Sequence, residues 1–454
     1  MNRRQLLAAA AASALLAGSA GRAAPAKRAP NFIVVLCDDL GYGDVSIYGP
    51  GGLPTPNLEK MAREGVVATD YYSPANLCTP SRAGLLTGRY PVRTGLGYEV
   101  IRQQDDRGLP LSEVTIAKAL APAYVSGLFG KWHLGHLGQY WPPTKHGFDT
   151  FFGIPYSHDM APLSLFEAHT GSDEVAKSAV DFNRLQQDFY DHAERFIQAN
   201  KHRPFFLELA LSAPHLPEHP HAGFDTQTRA GSYGAVVAEL DSLVGRLMAK
   251  LRALKIERDT IVVFTSDNGP WYEGSPGWLR ERKGGGGYDG GYRVPFVAWG
   301  PGRLPAGKRV SSMIMGIDLL PTFRAMAGMP PLPGVTLDGR DITEVLTKGA
   351  ASPHEALVLF DNEVPVGIRT QDWKYLDTLY YRGIKMPVGL LGYQELYDER
   401  GSQAENYSVA DVHPEVAKAM KARLDAAKAT FAPFKHADIP QVFKTLRAQL
   451  ARQD

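Results

Sequence analysis

Short, almost uninterrupted apolar runs recur along the chain: NFIVVL (31–36), AYVSGLF (123–129), PFFLELAL (204–211), TIVVFT (260–265) and VPFVAW (294–299). Runs of this length without polar alternation predict strands covered on both faces, as in a parallel sheet. Between them, TPNLEKMAREG (55–65) and GAVVAELDSLVGRLMAKLRAL (234–254) carry apolar residues at helical spacing. The alternation predicts an α/β fold with a large, mainly parallel central sheet flanked by helices. After TKGAASP (347–353) the pattern changes to β-rich ALVLF, VGIRT and WKYLDTLYY, then to the helical PEVAKAMKARLDAAKATF (414–431). A smaller C-terminal α+β unit, an antiparallel sheet plus a helix, is therefore expected over residues 351–454.

The residues that follow the runs carry the chemistry. The first run ends in Cys37-Asp38-Asp39, the second leads into Lys131-Trp132-His133, the third into Pro214-His215 and the fourth into Asp267-Asn268. In open α/β sheets the carboxyl edge of the strands is where ligands bind, so these groups are expected to converge. Taken singly, each has a plainer reading: a strand-to-turn boundary for Asp38-Asp39, a tight turn for Asp-Asn-Gly, a surface lysine beside a buried histidine. Taken together, Asp38, Asp39, Asp267 and the amide of Asn268 are hard oxygen donors that suit Ca²⁺ or Mg²⁺ and disfavour zinc. Lys131 and His133, two apart, share a face if strand geometry persists there.

Composition narrows the class. With 49 basic and 48 acidic side chains in 454 residues, no excess positive charge is present to grip nucleic acid. Residues 1–26 join Arg3 and Arg4 to an apolar run and small residues, the pattern of an export signal with a possible twin-arginine route. Its apolar part is shorter than the ~20 residues that span a membrane, so no span is expected and a bacterial periplasmic or secreted location is. Residues 27–350 then form the main domain. The two cysteines, Cys37 in a strand-like run and Cys78 at what reads as a helix start, allow either one disulfide or two unpaired thiols.

The stretch NLCTPSRAGLLTGR (76–89) resembles the signature of the type I sulfatases of the alkaline phosphatase superfamily, C-x-P-x-R at Cys78 to Arg82 followed by Thr87-Gly88-Arg89. DDLGYGD, TPNLEKMAREG, GKWHLG, HGFDTFFG, PHLP, SDNGP and GGYRVP follow that family's order over residues 31–345, and GIPYSHD and GVTLDGRDI are closest to its arylsulfatase A branch. The resemblance implies a hydrolase of aryl, sugar or sulfolipid sulfate esters. It implies that a separate formylglycine-generating enzyme oxidises Cys78 to Cα-formylglycine, whose hydrate offers one hydroxyl to attack sulfur and a second to expel sulfate. It also implies that Asp38, Asp39, Asp267 and Asn268, with the side chain at Cys78, hold one divalent metal, Ca²⁺ or Mg²⁺. Arg82, one helical turn from Cys78, would support the hydrate, and Lys131 would neutralise sulfate oxygens. His133 would help deprotonate the second hydroxyl, with His215 and Ser157 on the leaving-group side.

One region departs from the family pattern. In KGGGGYDGGYRVP, Lys283 stands five residues before Tyr288 rather than four, and Asp289 replaces the usual glutamate. Lys283 is expected to reach sulfate through this glycine-rich loop, though less firmly than Lys131, the plainer reading being a mobile surface loop. Two rival functions remain on this scaffold: a phosphodiesterase or phosphonate monoester hydrolase, and an unmodified, non-catalytic glycan-binding protein.

Overall fold

The computed structural model describes residues 28–172, 175–381, 384–387, 394–400 and 404–436; the expected export signal lies outside them. Ten strands form one sheet in the order Lys308–Val310, Val66–Ala68, Phe296–Trp299, Thr260–Ser266, Asn31–Asp38, Phe205–Pro214, Val125–Lys131, Thr150–Ile154, Leu165–His169 and Val175–Ser178. The five central strands, Thr260–Ser266 through Thr150–Ile154, run parallel to one another. Antiparallel pairings carry the sheet outward on both sides, and the edge strand Lys308–Val310 then pairs parallel with Val66–Ala68.

The apolar runs are continuous because both faces of the sheet are covered. Along Asn31–Asp38 every residue is buried. Phe32, Val34 and Leu36 enter one core with Ile116, Leu120 and Phe323, while Ile33, Val35 and Cys37 enter the opposite core with Phe189, Tyr190 and Leu240. The helices Leu185–Asn200 and Gly231–Ala253 cover that second face.

The VPFVAW run departs from the parallel expectation, since Phe296–Trp299 pairs antiparallel with Thr260–Ser266. A strand covered on both faces is equally apolar in either direction, so the run does not carry its own polarity. The fifth central parallel strand is Thr150–Ile154, which begins within HGFDTFFG (146–153) and ends one residue past it.

A four-stranded antiparallel sheet of Leu357–Asp361, Val364–Arg369, Trp373–Leu376 and Glu395–Asp398 follows, packed by the helix Pro414–Phe431. Its core includes Tyr72, Tyr90 and Tyr292 of the preceding chain. Among the described residues no helix is long and apolar enough to cross a membrane.

Candidate active site

Five neighbouring parallel strands deliver side chains to one edge. Asn31–Asp38 ends in Asp38 and leads to Asp39, Thr260–Ser266 leads to Asp267 and Asn268, Val125–Lys131 ends in Lys131, Phe205–Pro214 leads to His215, and Thr150–Ile154 leads to Ser157. Successive strand residues point to opposite faces, which would separate Asp38 from Asp39. Asp39 escapes this with φ +65°, in the left-handed region that turns its side chain back to the site. Both carboxylates then face the Cys78 sulfur, at 3.4 Å from Asp38 Oδ1 and 3.9 Å from Asp39 Oδ1.

Cys78 is the first residue of the fully buried helix Cys78–Thr87, and each neighbour in C-T-P-S-R fixes part of the surroundings. Thr79 Oγ1 donates to the His133 carbonyl at 3.0 Å and accepts from the Ile101 N–H, tying two loops to the helix start. Pro80 lies in the first turn, where no intrahelical N–H bond is lost. Ser81 Oγ donates to the Ala75 carbonyl and accepts from the Ala75 N–H, closing the segment before Cys78. The Arg82 guanidinium is engaged by Asp267 (2.8 Å), Asp38 (3.5 Å) and the Lys131 carbonyl (3.0 Å). It orients the carboxylates that face Cys78. The two cysteines are unpaired, so the disulfide alternative does not hold.

The charges interlock. Lys131 Nζ lies 2.6 Å from Asp38 Oδ2, and Lys283 Nζ lies 2.7 Å from Asp39 Oδ2, with His215 Nε2 3.6 Å from the same oxygen. Burial alone would raise Asp38, but Lys131, His215 and Arg82 together hold it well below the usual carboxylate range. Burial and the neighbouring Asp38 push Asp267 up to about 6 against the pull of Arg82. Burial also pushes the Cys78 thiol far above its ordinary range, Lys131 and Lys283 notwithstanding.

The donor set fits a hard divalent cation. One ligand atom each from Asp38, Asp39, Cys78 and Asp267 lies within 4.8 Å of the others. The Asn268 amide spends its N–H groups on Asp39 Oδ1 (2.7 Å) and the Gly269 carbonyl (2.8 Å), while its buried Oδ1 has no hydrogen-bond partner. A buried carbonyl oxygen with no hydrogen-bond partner, beside three carboxylates, is a donor of the kind a hard divalent cation takes.

His133 arrives by a turn, not by continued strand geometry: the strand stops at Lys131 and His133 has φ +58°. Its Nε2 lies 2.8 Å from the Ile101 carbonyl, which can only accept, so Nε2 carries the proton and the buried, unpartnered Nδ1 carries the lone pair. Burial, with Lys131 and Arg82 behind it, holds this ring well below the ordinary histidine range and therefore neutral. His215 has the opposite tautomer, its Nδ1–H directed at the Leu216 carbonyl. Ser157 is buried with an unpartnered hydroxyl.

The Lys283 loop is pinned, contrary to the mobile reading. Lys283 N–H donates to the Pro270 carbonyl, Gly284 N–H to the Asn76 carbonyl, and Asn76 Nδ2 to the Gly286 carbonyl. Gly284 (φ +72°) and Gly286 (φ +66°) absorb the additional residue in conformations that glycine permits. Sequence reasoning missed Asn76 in this role and His158, whose ring centroid lies 5.6 Å from that of His215. The GIPYSHD motif that gave Ser157 also contained His158.

Comparisons with known proteins agree with this geometry. A family model described as Sulfatase matches residues 30–329. The chain is 37% identical to arylsulfatase A of Homo sapiens over 93% of this chain and 92% of that protein. It is 35% identical to the N-acetylgalactosamine-6-sulfatase of Homo sapiens, over 72% of this chain and 67% of that protein. Among solved structures, the PsFucS1 sulfatase from Pseudoalteromonas sp. superposes with a TM-score of 0.82 at 26% identity, covering 97% of this chain and 96% of that one. The phosphonate monoester hydrolase of Agrobacterium radiobacter, at 18% identity and a TM-score of 0.61 over 88% of this chain and 96% of that one, shares the fold alone and does not favour the phosphodiester alternative. The chain therefore belongs to the sulfatase family, on its arylsulfatase A-like side, and is a hydrolase of sulfate esters.

Proposed function

We propose that the active protein carries Cys78 as Cα-formylglycine and that Asp38, Asp39, Asp267 and Asn268, with the modified side chain, hold one Ca²⁺, Mg²⁺ being the second choice. The observation that carries this reading is the convergence of three carboxylates and two lysines on a buried cysteine whose thiol burial pushes far above its ordinary range. A cysteine nucleophile needs its thiolate, and this environment denies it. A hydrated aldehyde supplies instead two hydroxyls on one carbon, one to take the sulfuryl group and one to let it go. When bound, the cation would polarise a sulfate oxygen and ease deprotonation of the attacking hydroxyl. Cys78 is 1% exposed, so a formylglycine-generating enzyme must act before the chain folds.

The chain's own residues then divide the work. Arg82, Lys131 and Lys283 balance the three carboxylates, so a dication leaves the site net positive and attractive to a sulfate anion. Lys131 and Lys283 lie on opposite carboxylates, placed to take up charge that develops on sulfate oxygens. His133, neutral with a free Nδ1 lone pair, serves as the base for the second hydroxyl. His215 and Ser157 serve the departing alcohol. Residues 27–350 form the catalytic domain and 351–454 the C-terminal subdomain, and the export-type N-terminus supports a periplasmic or secreted location. The relatives' names point to aryl or sugar sulfates as substrates.

The test is turnover of para-nitrophenyl sulfate against bis(para-nitrophenyl) phosphate, with elemental analysis of the purified protein. Sulfate preference and one calcium or magnesium per chain are expected. Preference for the phosphate diester, or two bound zinc ions, contradicts the reading.

A further inference from the structure

His215 reaches the site on a turn held by side chains. Its strand, Phe205–Pro214, bulges before its end: Leu36 pairs with Ala210, whereas Asp38 pairs with Pro214. A bulge re-aims the side chains that follow it. Gln186 fixes this one, its amide donating to Ser212 Oγ at 2.9 Å and accepting from the Ser212 N–H at 3.1 Å. Beyond the bulge, Leu216 and His219 are half-buried and Pro217 is exposed. No backbone hydrogen bond among the described residues holds Leu216 to Pro220. The His215 Nε2 nonetheless faces Asp39 Oδ2 at 3.6 Å.

Two imidazole N–H groups engage the carbonyls of this turn. The Nδ1–H of His215 is directed at the Leu216 carbonyl at 2.6 Å, and the Nε2–H of His158 donates to the Pro217 carbonyl at 3.0 Å. A carbonyl only accepts, so the His158 proton sits on Nε2. His158 comes from the far side of the site, four residues past the strand Thr150–Ile154. Its loop is itself tied down. The carbonyls of Ile154 and Pro155 accept from the N–H groups of Trp132 and His133 at 3.0 and 3.1 Å, and Met160 N–H donates to the Ser157 carbonyl at 3.1 Å. The His158 ring is 6% exposed and stands edge-on to His215, with centroids 5.6 Å apart and planes at 75°. Burial, with His215 beside it, lowers His158 to about 4, so the ring stays neutral. A group that moves a proton acts only within hydrogen-bond reach, and a misplacement of about 1 Å costs up to about 10²-fold.

We propose that His158 is a positioning residue for His215: by holding the Pro217 carbonyl it fixes the turn that aims His215 at the departing alcohol. This rests on the sulfate-ester reading, in which His215 serves that alcohol.

The test reads kcat/KM, which covers the steps up to departure of the alcohol, on para-nitrophenyl, para-chlorophenyl and phenyl sulfate. Nitrophenolate leaves as a stable anion, whereas the more basic phenolate gains from a proton, so help from His215 grows along the series. His158→Phe keeps a ring against His215 and removes the N–H, while His158→Gln keeps a donor for the Pro217 carbonyl. His158→Phe is expected to lower kcat/KM by about tenfold on phenyl sulfate and by less than about threefold on para-nitrophenyl sulfate, with His158→Gln restoring most of the loss. Placed on His215→Ala, His158→Phe should lower kcat/KM no further, because it acts through His215.

No loss, an equal loss on all three esters, or a full further loss on His215→Ala overturns the positioning role and leaves the sulfate-ester reading standing. A His215→Ala loss equal on all three esters overturns the leaving-group role of His215 and the positioning with it. Should His158→Phe not fold, ¹⁵N NMR of histidine-labelled wild type, assigned through His158→Gln, reads the brace. A proton on Nε2 of His158 is expected, and a proton on Nδ1 overturns the proposal. No turnover of any sulfate ester overturns both this role and the sulfate-ester reading.

Discussion

Among the described residues two clusters of buried charge make a contrast, and one of them is arranged as a site. In the first, Asp38, Asp39, Asp267 and Cys78 point inward at one another, with Arg82, Lys131 and Lys283 around the outside. In the second, between the large sheet and the C-terminal sheet, acids and bases alternate. Lys374 sits between Asp289 and Glu405, Arg369 between Asp70 and Glu399, and Arg293 between Asp70 and Asp289. Both clusters shift pKa values: burial and Asp289 push Glu399 up to about 7, as burial and Asp38 push Asp267 up to about 6. Perturbed titration therefore does not separate them. Convergence does. Like charges aimed at one point at the carboxyl edge of a parallel sheet need a ligand, whereas alternating charges need only each other.

The largest effect expected from breaking this contrast is at Cys78. Cys78→Ala should lower kcat by roughly 10⁴-fold or more with an almost unchanged melting temperature, read by steady-state kinetics and thermal unfolding. In the alternating cluster, Lys374→Met should leave Asp289 and Glu405 buried without their shared cation. It should cost about 3–5 kcal/mol of unfolding free energy in denaturant titration. A loss below about 1 kcal/mol would remove the structural role assigned to that network.

Lys131→Ala and Lys283→Ala sharpen the picture of the first cluster. Each should lower kcat on para-nitrophenyl sulfate by about 10²- to 10³-fold. The glycine run alone predicts the smaller effect for Lys283, but its pinned backbone and 2.7 Å approach to Asp39 place the two lysines on a similar footing. An effect of Lys283→Ala confined to KM would show that the loop opens during turnover.

The smallest expected effect concerns a buried histidine outside both clusters. Burial lowers His146 from 6.5 to about 4, the Tyr140 carbonyl contact only partly offsetting it. Its folded-state pKa is below its unfolded one, so its neutral form contributes stability that is full above pH 6.5 and is lost as pH falls towards 4. The slope this group adds is at most about 1.4 kcal/mol per pH unit, and His146→Gln should flatten it in unfolding curves over that window.

Much of the site was legible because its residues sit just past apolar runs, where strand ends are readable and the sheet does the assembling. Asp38, Asp39, Asp267, Asn268, Lys131 and His215 follow from that position alone. The direction of Phe296–Trp299 was hidden because coverage, not polarity, makes a strand apolar. The route of His133 and the closeness of Asp39 to Asp38 depend on left-handed turns at non-glycine residues, which sequence does not announce. Arg82 looked like a partner of Cys78 from its helical spacing, yet its guanidinium reaches three other groups across the fold. The Lys374 network was illegible for a different reason. Asp289 and Lys374 are 85 residues apart, and a fully buried lysine runs against what lysine usually does.

The central claim is that the cysteine at the convergence point acts as an aldehyde and not as a thiol. Mass spectrometry of the peptide containing Cys78, taken from protein of measured specific activity, tests it directly. Formylglycine is expected at Cys78, in a proportion that rises and falls with activity across preparations. Fully active protein with an unmodified thiol at Cys78 would contradict it.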